Sequence, residues 1–155
     1  MKTPANPAMY LEASGMGEAC ILHASCVSRQ NCAVLIIGPS GAGKSALALQ
    51  LMALGAELVS DDRTCLRPSE GGLIATAPPT IKGLIEARGV GILTADTCDA
   101  AVVRLVVDLE QTEHDRLPPY RNYNLLGQTL PVLHNVKAAH FAAAILQYLK
   151  GERSA

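Results

Sequence analysis

Gly38-Pro39-Ser40-Gly41-Ala42-Gly43-Lys44-Ser45 decides how the rest of the chain is read. It fits the phosphate-binding pattern G-x-x-x-x-G-K-[ST] with no mismatch. The apolar run Cys32-Ala33-Val34-Leu35-Ile36-Ile37 before it predicts a buried strand. Ala46 to Leu54 after it are strong helix formers, and Gly55 is a natural helix stop. The motif therefore stands where its mechanism needs it, between a strand and a helix. Its glycines let the backbone curl until several N–H groups face a phosphate, and the helix N-terminus adds partial positive charge. Lys44 supplies a full charge for terminal phosphates, and the Ser45 hydroxyl is a ready ligand for Mg²⁺.

Working outward, the 155 residues suggest one globular domain, with 49% hydrophobic and 17% charged residues. A formal net charge of −1 gives no electrostatic case for nucleic acid or an anionic membrane. With no Trp and one Phe, base-stacking platforms are not expected. No apolar run approaches the length of a membrane span, and the N-terminal stretch lacks a signal-peptide core, which points to the cytoplasm. The five cysteines include no C-x-x-C pair, and all five are expected as reduced, mostly buried thiols.

Residues 1–16 read as a flexible lead, 17–151 as the folded domain and 152–155 as a tail. Glu18 to Val27 predicts a strand that forms a hairpin with the strand entering the phosphate loop, placing His23 beside that loop. Glu57 to Ser60 predicts a short strand ending in Asp61-Asp62. Adjacent carboxylates repel, so they either face water or meet something positive. Side chains alternate along extended chain, so one is free to take a proton while the other approaches Mg²⁺; a solvated turn is the plain alternative. Thr64–Arg67 and Leu73–Thr76 predict a hairpin, and Thr80–Ile85 a helical turn. Glu86-Ala87-Arg88-Gly89-Val90-Gly91-Ile92 reads as a functional loop. In it Glu86 suits a metal shell, and Arg88 suits phosphate or substrate; a surface turn with a local ion pair is the alternative.

Ala100 to Leu109 predicts a central strand, and Glu110 to Tyr123 a loop holding Asp115-Arg116. Gln128 to Leu133 predicts an edge strand, because Pro131 cannot donate a ladder hydrogen bond. Asn135 predicts the cap of a terminal helix over 136–150, stopping at Gly151. His134 and His140 are not spaced as a helical metal pair.

The constellation resembles the C-terminal catalytic domain of HPr kinase/phosphorylase, the bacterial enzyme that phosphorylates a serine of a small phosphocarrier protein. The residues that carry the resemblance are Leu22-His23, the loop Gly38 to Ser45, Leu58-Val59-Ser60-Asp61-Asp62-Arg63, Glu86-Ala87-Arg88-Gly89-Val90-Gly91-Ile92 and Asp115-Arg116-Leu117. The resemblance implies an α/β fold related to phosphoenolpyruvate carboxykinase, with a phosphate loop on a mixed sheet. It implies ATP and Mg²⁺ as cofactors, with Gly38, Pro39, Ser40, Gly41, Ala42, Gly43, Lys44 and Ser45 around the nucleotide. Ser45 and Glu86 are then metal ligands, with Asp62 near the metal. Asp61 is the proton acceptor, assisted by His23, and Arg116 stabilises the transferring phosphoryl group. Arg88, Gly89 and Gly91 belong to the substrate loop. The implied partner is an HPr-like phosphocarrier of a phosphotransferase system, with carbon and nitrogen metabolism under its control.

The sequence departs from the long family form in lacking an N-terminal domain, as short α-proteobacterial relatives do. It is also shortened between Ile92 and Ala101, and has no Gly-Arg pair in Leu130 to His140. The last departure argues against phosphate-driven dephosphorylation, and the first leaves a homo-oligomer open. A small-metabolite kinase and a nucleotide sensor without transfer activity are the competing readings. The absence of an Asn-Lys-x-Asp motif argues against a GTPase switch.

Overall fold

The computed structural model describes residues 10–14 and 17–155, with side chains from residue 19 onward. The expected flexible lead over 1–16 lies outside the described residues at 1–9, 15 and 16. Within it, Tyr10–Ser14 forms a strand, β1, paired antiparallel with β2 (Gly17–Leu22). The strand expected over 18–27 is two strands, because the chain bends at His23 and resumes as β3 (Ala24–Arg29). β3 does form the predicted antiparallel hairpin with β4 (Cys32–Ile37), through a turn in which Gln30 and Asn31 take φ of 50° and 64°.

β4 is buried on both faces, which explains its unbroken apolar sequence. Val34 and Ile36 join one core and Ala33, Leu35 and Ile37 the other. After the phosphate loop comes α1 (Lys44–Ala53). It closes as predicted at Gly55 (φ 111°), with Gly55 N–H donating to Met52 O and Ala56 N–H to Leu51 O. β5 (Glu57–Ser60) pairs with β3, and β6 (Thr64–Ser69) with β7 (Gly72–Thr76) forms the predicted second hairpin. The turn expected over 80–85 is a 3₁₀ turn at Pro79–Ile81. Leu84–Ala87 is instead a strand, β8, paired with β9 (Gly91–Thr94) in a small separate sheet.

β10 (Ala101–Thr112) is the predicted central strand, extended into the region expected as loop. One flank runs parallel to β4; the other meets β7 at its start and then β12 (Gln128–Asn135), again in parallel. β12 is not the edge: β11 (Asn122–Leu125) covers it, with Pro131 opposite Asn122. The terminal helix is shorter than expected. Asn135 ends β12 rather than capping a helix, and α2 (Phe141–Gly151) starts after His140. Here the β-forming run through His134 finds a parallel partner in β10, which outweighs the capping preference of Asn135.

Among the described residues the result is a mixed, curled sheet of ten strands. α1 and α2 cover one face, where Leu47, Leu51, Ile145 and Leu146 meet Val34, Ile36, Leu105 and Val107. The other face closes on itself, with Leu35 and Val106 packed among Leu22, Leu66, Tyr123 and Leu130. None of the five cysteines is in a disulfide; Cys20 and Cys26 are buried and Cys32, Cys65 and Cys98 partly so. Burial pushes the Cys20 thiol up to about 11. Parallel β4, β10 and β12 deliver three chain segments to one edge: Gly38 to Gly43, 113–121 and 136–140. That edge, outside the carboxyl ends of parallel strands, is where α/β sheets place ligands.

Candidate phosphate-binding active site

The loop Gly38–Gly43 is drawn tightly against the sheet. A Cβ at Gly38 would lie 3.3 Å from the Ala42 and Leu109 Cβ atoms, a tight fit at a φ of 153° that also strains any side chain. Gly43 precedes α1 with φ 101°, and no side chain caps the helix. The first N–H groups of a helix have no partner within it. They therefore point outward with the helix dipole behind them, as an anion cradle requires. Lys44 is buried, with Nζ donating to the carbonyls of Gly38 (2.8 Å) and Pro39 (3.0 Å). Burial lowers its pKa, while the nearby carboxylates of Asp62 and Asp61 act in the opposite direction.

The two aspartates part company. Asp61 is 5% exposed, and its carboxylate accepts from Ser25 Oγ (2.7 Å), Ser45 Oγ (2.6 Å) and Glu86 N–H (3.1 Å). Asp62 sits at φ 69°, with Arg63 N–H reaching back to Asp61 O at 2.7 Å, so it is the centre of a tight γ-turn. This turn throws its side chain, 65% exposed, onto His23 Nε2 at 2.7 Å. Around it, Asp62 O accepts from Ala24 N–H, Thr64 Oγ1 donates to Ala24 O, and Ser60 Oγ donates to Arg63 O. The bend at His23 and the strained turn at Asp62 thus act together to aim two side chains at one point.

The structure brings Lys44, Ser45, Asp61, Asp62 and His23 together. His23 contacts Asp62, and the residue on Ser45 is Asp61. Glu86 reaches the site through its backbone, and its side chain is exposed on β8. Arg88 and Gly89 form the exposed β8–β9 turn, closed by Val90 N–H to Ala87 O, and Gly91 opens β9. Arg116 lies exposed in the segment leaving β10, the strand whose Leu109 abuts Gly38. Ser25 was not legible in the sequence, since nothing marks one serine in a strand until Asp61 is placed opposite it.

The site's chemistry suits Mg²⁺. The groups that meet at Ser45 are hard oxygen ligands, its own hydroxyl and the Asp61 carboxylate 2.6 Å away. Magnesium characteristically takes one or two carboxylates and leaves its other positions to phosphates and water.

A phosphate loop on a mixed α/β sheet, facing paired aspartates, defines the class. Residues 14–137 match the family described as HPr Serine kinase C-terminal domain, and the chain belongs to that family. HPr kinase/phosphorylase of Brevibacillus brevis is 41% identical over 106 residues, 64% of this chain and 34% of that protein. The Geobacillus protein of the same name is 39% identical over 126 residues, 76% of this chain and 39% of that protein. The chain thus spans well under half the length of these relatives. A solved HPr(Ser) kinase/phosphatase from Coxiella burnetii has the same fold, with TM-score 0.72 and 24% identity over 86% of this chain and 90% of that one.

Proposed function

We propose that this chain is an ATP- and Mg²⁺-dependent serine kinase acting on an HPr-like phosphocarrier of a phosphotransferase system, and through it on carbon and nitrogen metabolism. Family membership and the names of the relatives support this. The observation that carries it is the meeting of the phosphate loop and Lys44 with two differently placed aspartates at one sheet edge.

Phosphoryl transfer asks the protein for positioning, charge neutralisation and one base. Lys44 and the α1 N–H groups hold the terminal phosphates of ATP. Mg²⁺, when bound, supplies charge neutralisation on the phosphate oxygens, and Ser45, Asp61 and Glu86 are the residues to hold it. The geometry favours Asp62 over Asp61 as acceptor of the serine proton. Asp61 already accepts three hydrogen bonds and is buried, whereas Asp62 is exposed and paired with His23. A base must have a free lone pair facing the substrate. Arg116 neutralises charge on the transferring group. The lack of a Gly-Arg pair in Leu130 to His140 favours transfer in the forward direction only.

The test is label transfer from ATP to an HPr-like carrier, beside a carrier with its candidate serines changed to alanine. Label that vanishes with one serine supports the kinase. Tight ATP binding with no labelled carrier returns the chain to a metabolite kinase or a sensor. Asp62→Asn and Asp61→Asn decide the base: transfer kept in the first and lost in the second returns that role to Asp61.

A further inference from the structure

The segment 113–121 carries Arg116, and its two ends are well tied. Glu113 N–H donates to Asn135 O, and Val132 N–H to Arg121 O. Across its base, Arg121 Nε and Nη2 donate to Glu113 at 3.3 and 3.1 Å. Its crown is different. Pro118 and Pro119 have no N–H, so the crown has two fewer backbone donors with which to tie itself down. Those carbonyls are held from the far end of the chain. Arg153 Nη2 donates to Pro118 O at 2.6 Å and Nη1 to Pro119 O at 3.5 Å. The same guanidinium lies 4.1 Å from the centre of the Tyr120 ring.

Arg153 is itself well placed to hold something. α2 is anchored in the core by Phe141, Ile145 and Leu146. Glu152, at φ 58°, turns the chain as α2 ends, with its N–H on Tyr148 O. Arg153 follows this turn, just past the end of α2, and its planar fork makes a directional grip that a lysine cannot reproduce.

We propose that Arg153 is a positioning residue for phosphoryl transfer: it clasps Pro118, Pro119 and Tyr120 and so fixes the segment that presents Arg116. This rests on the role given to Arg116 above. Arg153 lies beyond residue 137, where the match to the family ends, while the residues it holds lie within that match.

The test uses the full chain, as wild type, Arg153→Ala, Arg153→Lys and Arg116→Ala. Hydrogen–deuterium exchange over 113–121 is measured beside steady-state transfer to an HPr-like carrier. Arg153→Ala should speed exchange in that segment about tenfold and leave β4 and β10 unchanged. It should lower kcat about five- to tenfold with the KM for ATP unmoved. Arg153→Lys, which keeps a cation over Tyr120 but loses the fork, should fall between. Unchanged exchange in Arg153→Ala overturns the clasp. Faster exchange with unchanged kcat, while Arg116→Ala loses transfer, overturns the positioning role. Wild-type transfer by Arg116→Ala defeats the role of Arg116 and the positioning role with it; exchange then decides the clasp alone.

Discussion

The phosphate loop and the segment carrying Arg116 leave neighbouring parallel strands at the same edge, yet they are held in opposite ways. Gly38 to Ser45 is fixed from within: its glycines, the Lys44 bonds to its own carbonyls and the start of α1 all lie within a few residues. The segment 113–121 closes its own base through Arg121 and Glu113, but its ends are held by Asn135 and Val132 and its crown by Arg153, all outside it. Local fixation gives a cradle that is preorganised whenever the strand and helix form. Remote fixation lets the grip on Arg116 depend on a distant part of the fold. The same division runs between the adjacent aspartates, one enclosed by three donors and the other turned out toward His23.

The comparison can be broken most severely at its local half. Lys44→Ala should lower transfer by roughly 10²- to 10³-fold and weaken ATP binding, read by calorimetry and label transfer, because it removes the cradle's full charge. Normal binding and transfer would mean the loop is not the site. Asp62→Asn should cost about 10²-fold in transfer with ATP affinity retained, since it removes a base and spares the cradle. Ser25→Ala should cost about 1–2 kcal/mol in denaturant unfolding, because it strips a buried donor from Asp61. An unchanged midpoint would mean that contact contributes nothing net.

The smallest effect belongs to the remotely held segment. The Arg121 guanidinium beside Glu113 holds its carboxyl below the ordinary glutamate range. A carboxyl that binds protons less readily when folded contributes stability that is full above its unfolded pKa. That stability is lost as pH falls through the lowered folded value. Glu113→Gln should therefore lower Tm slightly at pH 7 and match wild type at strongly acid pH. A Tm gap that is constant across the acid range would refute the titration.

The pattern of what was legible follows the same physics. The phosphate loop, its flanking strand and helix, and a central strand over 100–109 could be placed because short-range chemistry specifies them; that this strand runs on to Thr112 could not. Pro131 pointed to an edge position, but the preceding strand β11, outside any strand expected from the sequence, covers β12 through a short hairpin. Asn135 looked like a cap until β10 supplied a parallel neighbour. His23 and the aspartates could be named, but the resemblance set His23 beside Asp61 and Asp62 near the metal, whereas His23 meets Asp62 and Ser45 meets Asp61.

The sequence alone determined the phosphate loop, the strand–loop–helix that presents it, and the residue types available for acid–base and metal chemistry. These depend on backbone freedom at a few glycines and on propensities over a handful of neighbours. Only the tertiary structure decided that Asp61 faces Ser45 and Ser25 while Asp62 faces His23, and that Arg153 reaches the Arg116 segment. Adjacent residues are separated by a backbone turn, φ 69° at Asp62, and distant ones are joined by packing. Neither is encoded in any short window of the chain.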